Sequence, residues 1–255
     1  ETHQMVISGA GDIQVDVLCA KLKSRFGVET ELKPARVAYR EKIKGKVEAH
    51  GRHKKQSGGS GQFGDVWIRF EPQDEQDDMI FAEEVFGGSV PKNFFPSVEK
   101  GLRNAVQKGV LAGYPLVGLK ATLYDGSYHP VDSNDMAFQT AARLAYQDGI
   151  PKAKPTILEP IGLLQVTIPD ANLGDIMSDI SSKRRGTVLG MNAEDGMQTV
   201  EAEVPMAEMS SYTIDLRSMT QGRGSFTCKF IRYEEAPGNV QQKVIEEAKA
   251  LAEAE

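Results

Sequence analysis

The chain has 255 residues, a formal net charge of −6 and 26% charged residues, values typical of a soluble globular protein with two domains or three small ones. It lacks an apolar run of the roughly 20 residues that a membrane helix needs, and its N-terminal residues lack the pattern of a secretory signal. The two cysteines, Cys19 and Cys228, lie far apart in the sequence, so we expect no disulfide framework and a cytoplasmic location.

Residues 1–41 predict only part of a domain. Residues 11–26 carry apolar side chains at helical spacing. The apolar segment 5–8 and the short alternating segments 28–32 and 35–39 predict strands beside this helix. These elements are too few to bury a core by themselves, so we expect residues 1–41 to be loosely held.

Residues 42–157 predict an α+β domain. Two alternating segments, 43–49 and 65–71, predict strands that are joined by a polar, basic, glycine-rich loop, which should project into solvent. The elements predicted after them are a strand at 79–86, a helix at 95–111, a strand at 116–126 and a helix at 134–149. Ser133 is the expected N-cap of the last helix.

The rest of the chain predicts a second compact domain and a final helix. Residues 151–160 hold three prolines and predict a linker. Residues 158–236 then alternate strands and helices in the order βαββαβ, which is typical of a ferredoxin-like domain. Residues 237–255 predict a helix that needs an apolar partner, because a lone helix of this length is marginal in water. The expected fold class is multidomain α+β, with projecting loops on the middle domain.

Charge is unevenly distributed along the chain. Seven basic and two acidic residues occur between Arg40 and Lys55, whereas seven acidic and no basic residues occur between Glu71 and Glu84. A basic segment on an acidic protein can contact phosphates, although such runs are also typical of solvated faces. The basic segment 183–185 has the same two interpretations, since cations also stabilise a helix C-terminus.

The glycine-rich loop matches the GxGxxG pattern at Gly59, Gly61 and Gly64. It lies between strands rather than before a helix, which opposes a dinucleotide-binding fold. No lysine occurs between Asp65 and Pro91, which opposes a kinase phosphate loop. A stand-alone phosphate-binding enzyme is therefore the less favoured alternative. We expect no catalytic residue, no metal site and no bound cofactor in this chain.

Five segments resemble the elongation factor G family in collinear order. They are 7–41 for part of its third domain, 53–72 and 123–138 for the two tip loops of its fourth domain, and 158–191 and 212–237 for its fifth domain. The resemblance implies the C-terminal portion of a translational GTPase. The GTPase domain, with its GTP and Mg²⁺, would lie outside this chain, which would have no enzymatic activity of its own.

The resemblance also implies partners and site residues. A protein of this family moves tRNA and mRNA through the ribosome; we expect a monomer that contacts no membrane. The fourth domain would enter the decoding region, and the fifth would lie near the sarcin–ricin loop of the large-subunit rRNA. The implied tip contacts are Ser57, Gly58, Gly59, Ser60, Gly61, Gln62, Tyr128, His129 and Asp132. The implied large-subunit contacts are Lys183, Arg184, Arg185 and Arg223.

Two departures from the family pattern leave the role open. The family often has arginine in the tip where this chain has Ser60, and often has GELHLE where this chain has the segment 11–16. One alternative is an elongation factor G-like paralogue that acts in ribosome recycling. Another is a ribosomal protection protein of the tetracycline-resistance type. The tip sequences at 56–64 and 127–133 favour an elongation factor.

Overall fold

The computed structural model describes residues 4–9, 11–55, 61–74 and 78–254, without the side chains of Ala252 and Ala254. The chain forms two compact units. The flanking unit comprises Glu1–Ala38 and Glu159–Glu234, and the middle unit comprises Tyr39–Leu158 and Glu235–Glu255. The domain limits expected from the sequence, 1–41, 42–157, 158–236 and 237–255, stay predictions.

The described residues form six α-helices and nine β-strands. The helices are α1 Asp12–Phe26, α2 Phe95–Ala105, α3 Asp135–Gly149, α4 Leu173–Ser178, α5 Tyr212–Thr220 and α6 Gly238–Ala254. The strands are β1 Arg40–Ile43, β2 Val47–Lys55, β3 Gln62–Pro72, β4 Ile80–Glu83, β5 Leu119–Ser127, β6 Pro155–Pro169, β7 Thr187–Glu194, β8 Met197–Pro205 and β9 Ser225–Glu235. No helix in the described residues is long and apolar enough to cross a membrane.

The middle unit is built on a four-stranded sheet in the order β2-β3-β5-β4. β2 and β5 run antiparallel to β3, and β4 runs parallel to β5. Val66, Ile68 and Phe70 of β3 are buried in the core, so the odd-numbered residues of this strand lie on the opposite face of the sheet. Helices α2 and α3 pack over the buried face, where Phe138 and Tyr146 fill the core.

Small residues let this sheet approach the backbone of α3. A Cβ added at Gly51 of β2 would lie 1.9 Å from the Ala141 carbonyl oxygen and 2.6 Å from the Ala145 nitrogen. A Cβ added at Gly64 of β3 would lie 2.5 Å from the Ala137 carbonyl oxygen. The three alanines lie four residues apart along α3 and are buried. Strand glycines and helix alanines therefore set the distance between the layers.

The middle unit also contains β1, the start of β6 and α6. β1 pairs antiparallel with the first four residues of β6. On α6, the Gln241 amide nitrogen donates to the Thr156 hydroxyl at 2.9 Å and to the Ala236 carbonyl at 2.7 Å, and Val244 is buried. The linker predicted at 151–160 is therefore wrong from Pro155 onward. Proline is tolerated there because it is the first residue of a strand.

The flanking unit contains the ferredoxin-like order. β9 pairs with β6, β6 pairs antiparallel with β8, and β8 pairs antiparallel with β7, while α4 and α5 complete the βαββαβ sequence. Leu164, Val166, Ile176, Val204 and Leu216 lie in its core. The expected α+β fold class is confirmed.

The start of the chain departs from the prediction. α1 forms, but none of its side chains is buried, and Phe26 is 73% exposed. The strands predicted at 5–8, 28–32 and 35–39 are wrong, because the described residues there form no β-ladder. A strand requires a neighbour for its backbone hydrogen bonds, and alternation of side chains alone does not supply one.

We expect Gly51→Ala to lower the free energy of unfolding by about 1–3 kcal/mol, because the methyl group must push β2 away from α3. Urea unfolding followed by the fluorescence of Trp67, the sole tryptophan, measures the change. Gly238→Ala is the matched control, since nothing lies within 4 Å of an added Cβ at the start of α6. Unfolding midpoints that are equal for Gly51→Ala and the unsubstituted chain would contradict the close packing.

Candidate functional site

The predicted tip lies where the β2–β3 loop meets the segment between β5 and α3. The predicted residues Ser57, Gly58, Gly59 and Ser60 lie outside the described residues. The predicted residues Gly61, Gln62, Tyr128, His129 and Asp132 are described. The Phe63 amide donates to the Asp132 carbonyl at 2.8 Å, and the Ser133 hydroxyl donates to the Phe63 carbonyl at 2.9 Å. The described ends of the two loops therefore lie side by side.

Ser133 joins the two loops and does not cap α3. Besides donating to Phe63, its hydroxyl oxygen accepts a hydrogen bond from the His129 amide at 2.9 Å. Asn134 caps α3 instead, since its side-chain oxygen accepts from the Ala137 amide at 2.9 Å. The predicted cap is therefore wrong by one residue, because the serine hydroxyl is used between the loops.

Gly61 is required for space. A Cβ added there would lie 2.5 Å from Asp132 Cγ, so a side chain at this position would displace the aspartate. Neither Gly61 nor Gly64 has a positive φ, and the requirement for glycine at both positions is therefore steric. Asp132 is only 17% exposed, which places it between the loops rather than at their surface.

His129 is held by its own loop. Its Nδ1 accepts hydrogen bonds from the Asp132 amide at 3.1 Å and the Val131 amide at 3.3 Å. Because both donors are backbone N–H groups, the neutral ring carries its proton on Nε2. The ring lies 6.3 Å from that of Phe63, and the side chain is 44% exposed. Within the described residues Nε2 has no partner, so this N–H can donate to an external acceptor.

Gln62 is partly engaged within the protein. Its side-chain oxygen lies 2.8 Å from His53 Nε2, across the β2–β3 pair. This bond uses the carbonyl end of the amide and leaves the NH₂ group to donate elsewhere. Gln62 can therefore still contact a ligand, from a side chain whose orientation is already fixed.

Exposed apolar residues surround the tip, and the sequence analysis missed two of them. Tyr128 was predicted as a contact and is 47% exposed. Val131 is 83% exposed and Met136 is 61% exposed. The only sequence signal for Val131 was an aliphatic residue within a short polar loop. Apolar side chains left in water beside directed donors are typical of a contact surface.

The expectation that Arg184 contacts RNA does not agree with the structure. Its side chain is 4% exposed, and its guanidinium bonds Asp179 and Asp215 and lies 4.5 Å from the Tyr212 ring. The pKa of Asp215 is lowered, first by the hydrogen bond from Arg184 and then by that from Ser211. Arg184 is therefore an internal cation that neutralises the buried Asp179 and the half-buried Asp215.

The other predicted cations of the flanking unit differ in availability. Arg185 makes two parallel bonds to Glu159, at 2.9 and 2.8 Å, and a third to Glu208 at 3.1 Å. These carboxylates raise the pKa of Arg185 and hold its guanidinium in place. Lys183 is 72% exposed and 3.8 Å from Asp179, and Arg223 is exposed at the end of α5. Lys183 and Arg223 are therefore better placed than Arg185 to bind phosphate.

The residues described here contain no cluster of three or more His, Cys, Asp or Glu side chains that could hold a metal ion. The described residues of the predicted sites offer hydrogen-bond donors, exposed apolar groups and cations.

We expect Arg184→Met to lower the free energy of unfolding of the flanking unit by about 3–5 kcal/mol, because buried Asp179 then keeps only the exposed Lys183, at 3.8 Å, as a counter-ion. Lys183→Met is the matched control at the neighbouring, exposed position. It should change the free energy of unfolding by less than about 1 kcal/mol. Amide hydrogen exchange resolved over β6, β8 and α5 measures both effects. Equal protection in the two variants would exclude a structural role for Arg184.

The comparisons with known proteins agree with one another. Family models match over most of the chain: Elongation Factor G, domain III at residues 1–34, Elongation factor G, domain IV at 35–154, and Elongation factor G C-terminus at 156–244. An elongation factor G-like protein of Thermotoga maritima is 49% identical over 248 residues, which cover 97% of this chain and 36% of that protein.

A crystal structure of a protein from Thermus thermophilus matches with a TM-score of 0.84 and 42% identity. The match covers 94% of this chain and 36% of that one, so the chain spans about a third of the length of both relatives. The resemblance found in the sequence is confirmed. The chain belongs to the elongation factor G family of translation factors.

Proposed function

We propose that this chain is the ribosome-binding C-terminal portion of a translational GTPase and that it promotes the translocation of tRNA and mRNA. The observation that carries the proposal is the joined pair of loops, which presents His129 Nε2 beside exposed Tyr128 and Val131. GTP and Mg²⁺ would bind outside this chain, which would itself have no enzymatic activity. The protein would act in the cytoplasm, as a monomer and away from membranes.

The tip suits insertion into RNA because its side chains are already oriented. Backbone amides fix the His129 ring, His53 fixes Gln62, and Ser133 joins the two loops. A contact made by fixed groups loses little conformational entropy on binding. His129 and Gln62 would then contact the decoding region through hydrogen bonds, while Val131 and Tyr128 exclude water from the contact.

A second contact is proposed for the flanking unit. Lys183 and Arg223 are exposed and would bind phosphates of the large-subunit rRNA near the sarcin–ricin loop. Arg185 contributes less, because its guanidinium is held by Glu159 and Glu208. Arg184 is not part of this contact, because it is buried.

A paralogue that acts in ribosome recycling is the second candidate. Two observations favour it: the Thermotoga maritima relative is described as elongation factor G-like, and this chain has Ser60 where the family often has arginine. Both candidates require the same ribosome-binding surfaces. They differ in the reaction that the full-length protein supports.

We expect His129→Ala in the full-length protein to slow single-round translocation by about tenfold or more, because a hydrogen bond to a charged acceptor is lost. GTP hydrolysis on the ribosome should stay unchanged, since His129 lies outside any nucleotide site. His129→Gln is the matched variant: it keeps an N–H donor and should recover part of the rate. Rapid-mixing translocation and phosphate-release assays measure the two reactions.

Either of two outcomes would contradict this role. Wild-type translocation in both His129 variants would show that the tip residue contributes nothing to the movement. Impaired ribosome recycling with unimpaired translocation would replace the proposed function with that of the paralogue.

We expect Lys183→Gln together with Arg223→Gln to weaken ribosome binding and to reduce the slope of log K against log salt by about 0.7–0.9 for each phosphate contact removed. Lys152→Gln is the matched control, because Lys152 is exposed but paired with Asp148 and lies in the middle unit. Binding with an unchanged salt dependence in the double variant would indicate that these cations contact no RNA.

A further inference from the structure

The outer face of the β2–β3 hairpin next to the tip carries a set of side chains that the tip does not use. Residues directly opposite each other in an antiparallel pair lie on the same face of the sheet. The pairs on this face are His50 with Trp67, Arg52 with Asp65, and Lys54 with Phe63. We call this surface the hairpin face. All of it belongs to the middle unit.

Trp67 is the most unusual residue of the hairpin face. It is the sole tryptophan of the chain, and it is 39% exposed in the middle of β3. Its ring stacks on His50, with 4.4 Å between ring centroids and 15° between ring planes. A large aromatic ring left in water in this way is a surface on which another planar group can stack.

Hydrogen bonds from three strands fix this stack. His50 Nε2 donates to Asp65 Oδ1 at 2.6 Å, and the Ser127 hydroxyl donates to Asp65 Oδ2 at 2.8 Å. β2, β3 and β5 therefore all hold the imidazole that supports the Trp67 ring. The carboxylate is satisfied by these two bonds, so it is less able to neutralise the cation opposite it, Arg52.

On the outer face of the sheet, charged side chains are paired at the end away from the tip, whereas cations at the tip end are unpaired among the described residues. At the end away from the tip, Arg69 pairs with Glu48 and Glu84, and Lys46 pairs with Glu71.

At the tip end of the same face, Arg52 and Lys54 are exposed, and with the residues that the structure describes they make no ion pair. The Arg52 guanidinium lies 5.6 Å from the centroid of the Phe63 ring on the same face. Unpaired cations beside a stacking ring match the two parts of a nucleotide, the phosphate and the base.

We infer that the hairpin face binds single-stranded RNA, with one base stacked on Trp67 and the neighbouring phosphates bound by Arg52 and Lys54. The inference rests on the proposed function, since it extends the RNA contact of the tip along the sheet. A duplex fits less well because its bases are already stacked on each other. An acidic peptide would use the cations but would gain nothing from the fixed Trp67 ring.

The fluorescence of Trp67 tests the inference directly, without a ribosome. We expect a six-nucleotide oligoadenylate to quench it, because the stacked base contacts the ring. The same strand in a duplex, and polyglutamate, should leave it nearly unchanged at equal charge concentration. Two phosphate contacts, from Arg52 and Lys54, predict a slope of log K against log salt of about −1.4 for the single strand.

Variants of the hairpin face separate stacking from charge. Trp67→Leu should bind a labelled oligoadenylate about tenfold more weakly, because base–aromatic stacking is lost. Trp67→Phe should retain most of the affinity, because it keeps a ring. Phe86→Leu is the matched control, since Phe86 is 93% exposed in the same unit but lies outside β2 and β3.

Arg52→Gln should reduce the salt slope by about 0.7, because one phosphate contact is removed. Lys46→Gln should leave the slope unchanged, because Lys46 is already paired with Glu71. Failure of the single strand to quench Trp67 overturns the inference. So does equal quenching by polyglutamate or duplex, or unchanged affinity in Trp67→Leu.

These results are independent of the tip. If oligoadenylate does not bind while His129→Ala still slows translocation, the hairpin face is excluded and the proposed function stands. If oligoadenylate binds as expected while both His129 variants translocate normally, the proposed function fails and the RNA surface remains.

Discussion

The close approach of the β2–β3 hairpin to α3 is the constraint on which the rest of the middle unit depends. Gly51 and Gly64 have no space for a Cβ against the helix backbone at Ala141 and Ala137. This contact sets the start of α3 beside the start of β3, and Ser133 therefore reaches Phe63 across the two loops. The described part of the tip is held in place because a helix and a strand meet there, so it needs no core of its own.

The same contact determines which side chains lie on the opposite face of the sheet. Because α3 and α2 pack on one face, the odd-numbered residues of β3 lie on the face opposite these two helices. Away from the tip this face is neutralised by Arg69 and its two glutamates, but near the tip the cations of β2 stay unpaired among the described residues. Although the protein has a net charge of −6, unpaired positive charge on this face is therefore concentrated near the tip.

The sequence was informative wherever a local pattern determines the outcome. Alternation and turn residues predicted the strands at 187–194, 197–205 and 225–235, and the order βαββαβ followed from them. It was uninformative where the partner is remote. The basic segment 183–185 gives the same sequence pattern whether its cations face water or carboxylates. Arg184 meets Asp215, 31 residues away, only after folding. Segments 28–32 and 35–39 alternate like strands but lack a paired neighbour among the described residues.

The distribution of cations also bears on the departure at the tip. Where the family often has an arginine in the loop, this chain has Ser60, so the loop itself carries less charge. Arg52, Lys54 and Lys55 lie instead on the strand that leads into that loop, where the β-ladder fixes their backbone. A cation on a paired strand loses less conformational entropy on binding phosphate than one at a glycine-rich loop end. Under the proposed function, electrostatic attraction to RNA would therefore come from the hairpin strand, and His129 and Gln62 would contribute directed hydrogen bonds.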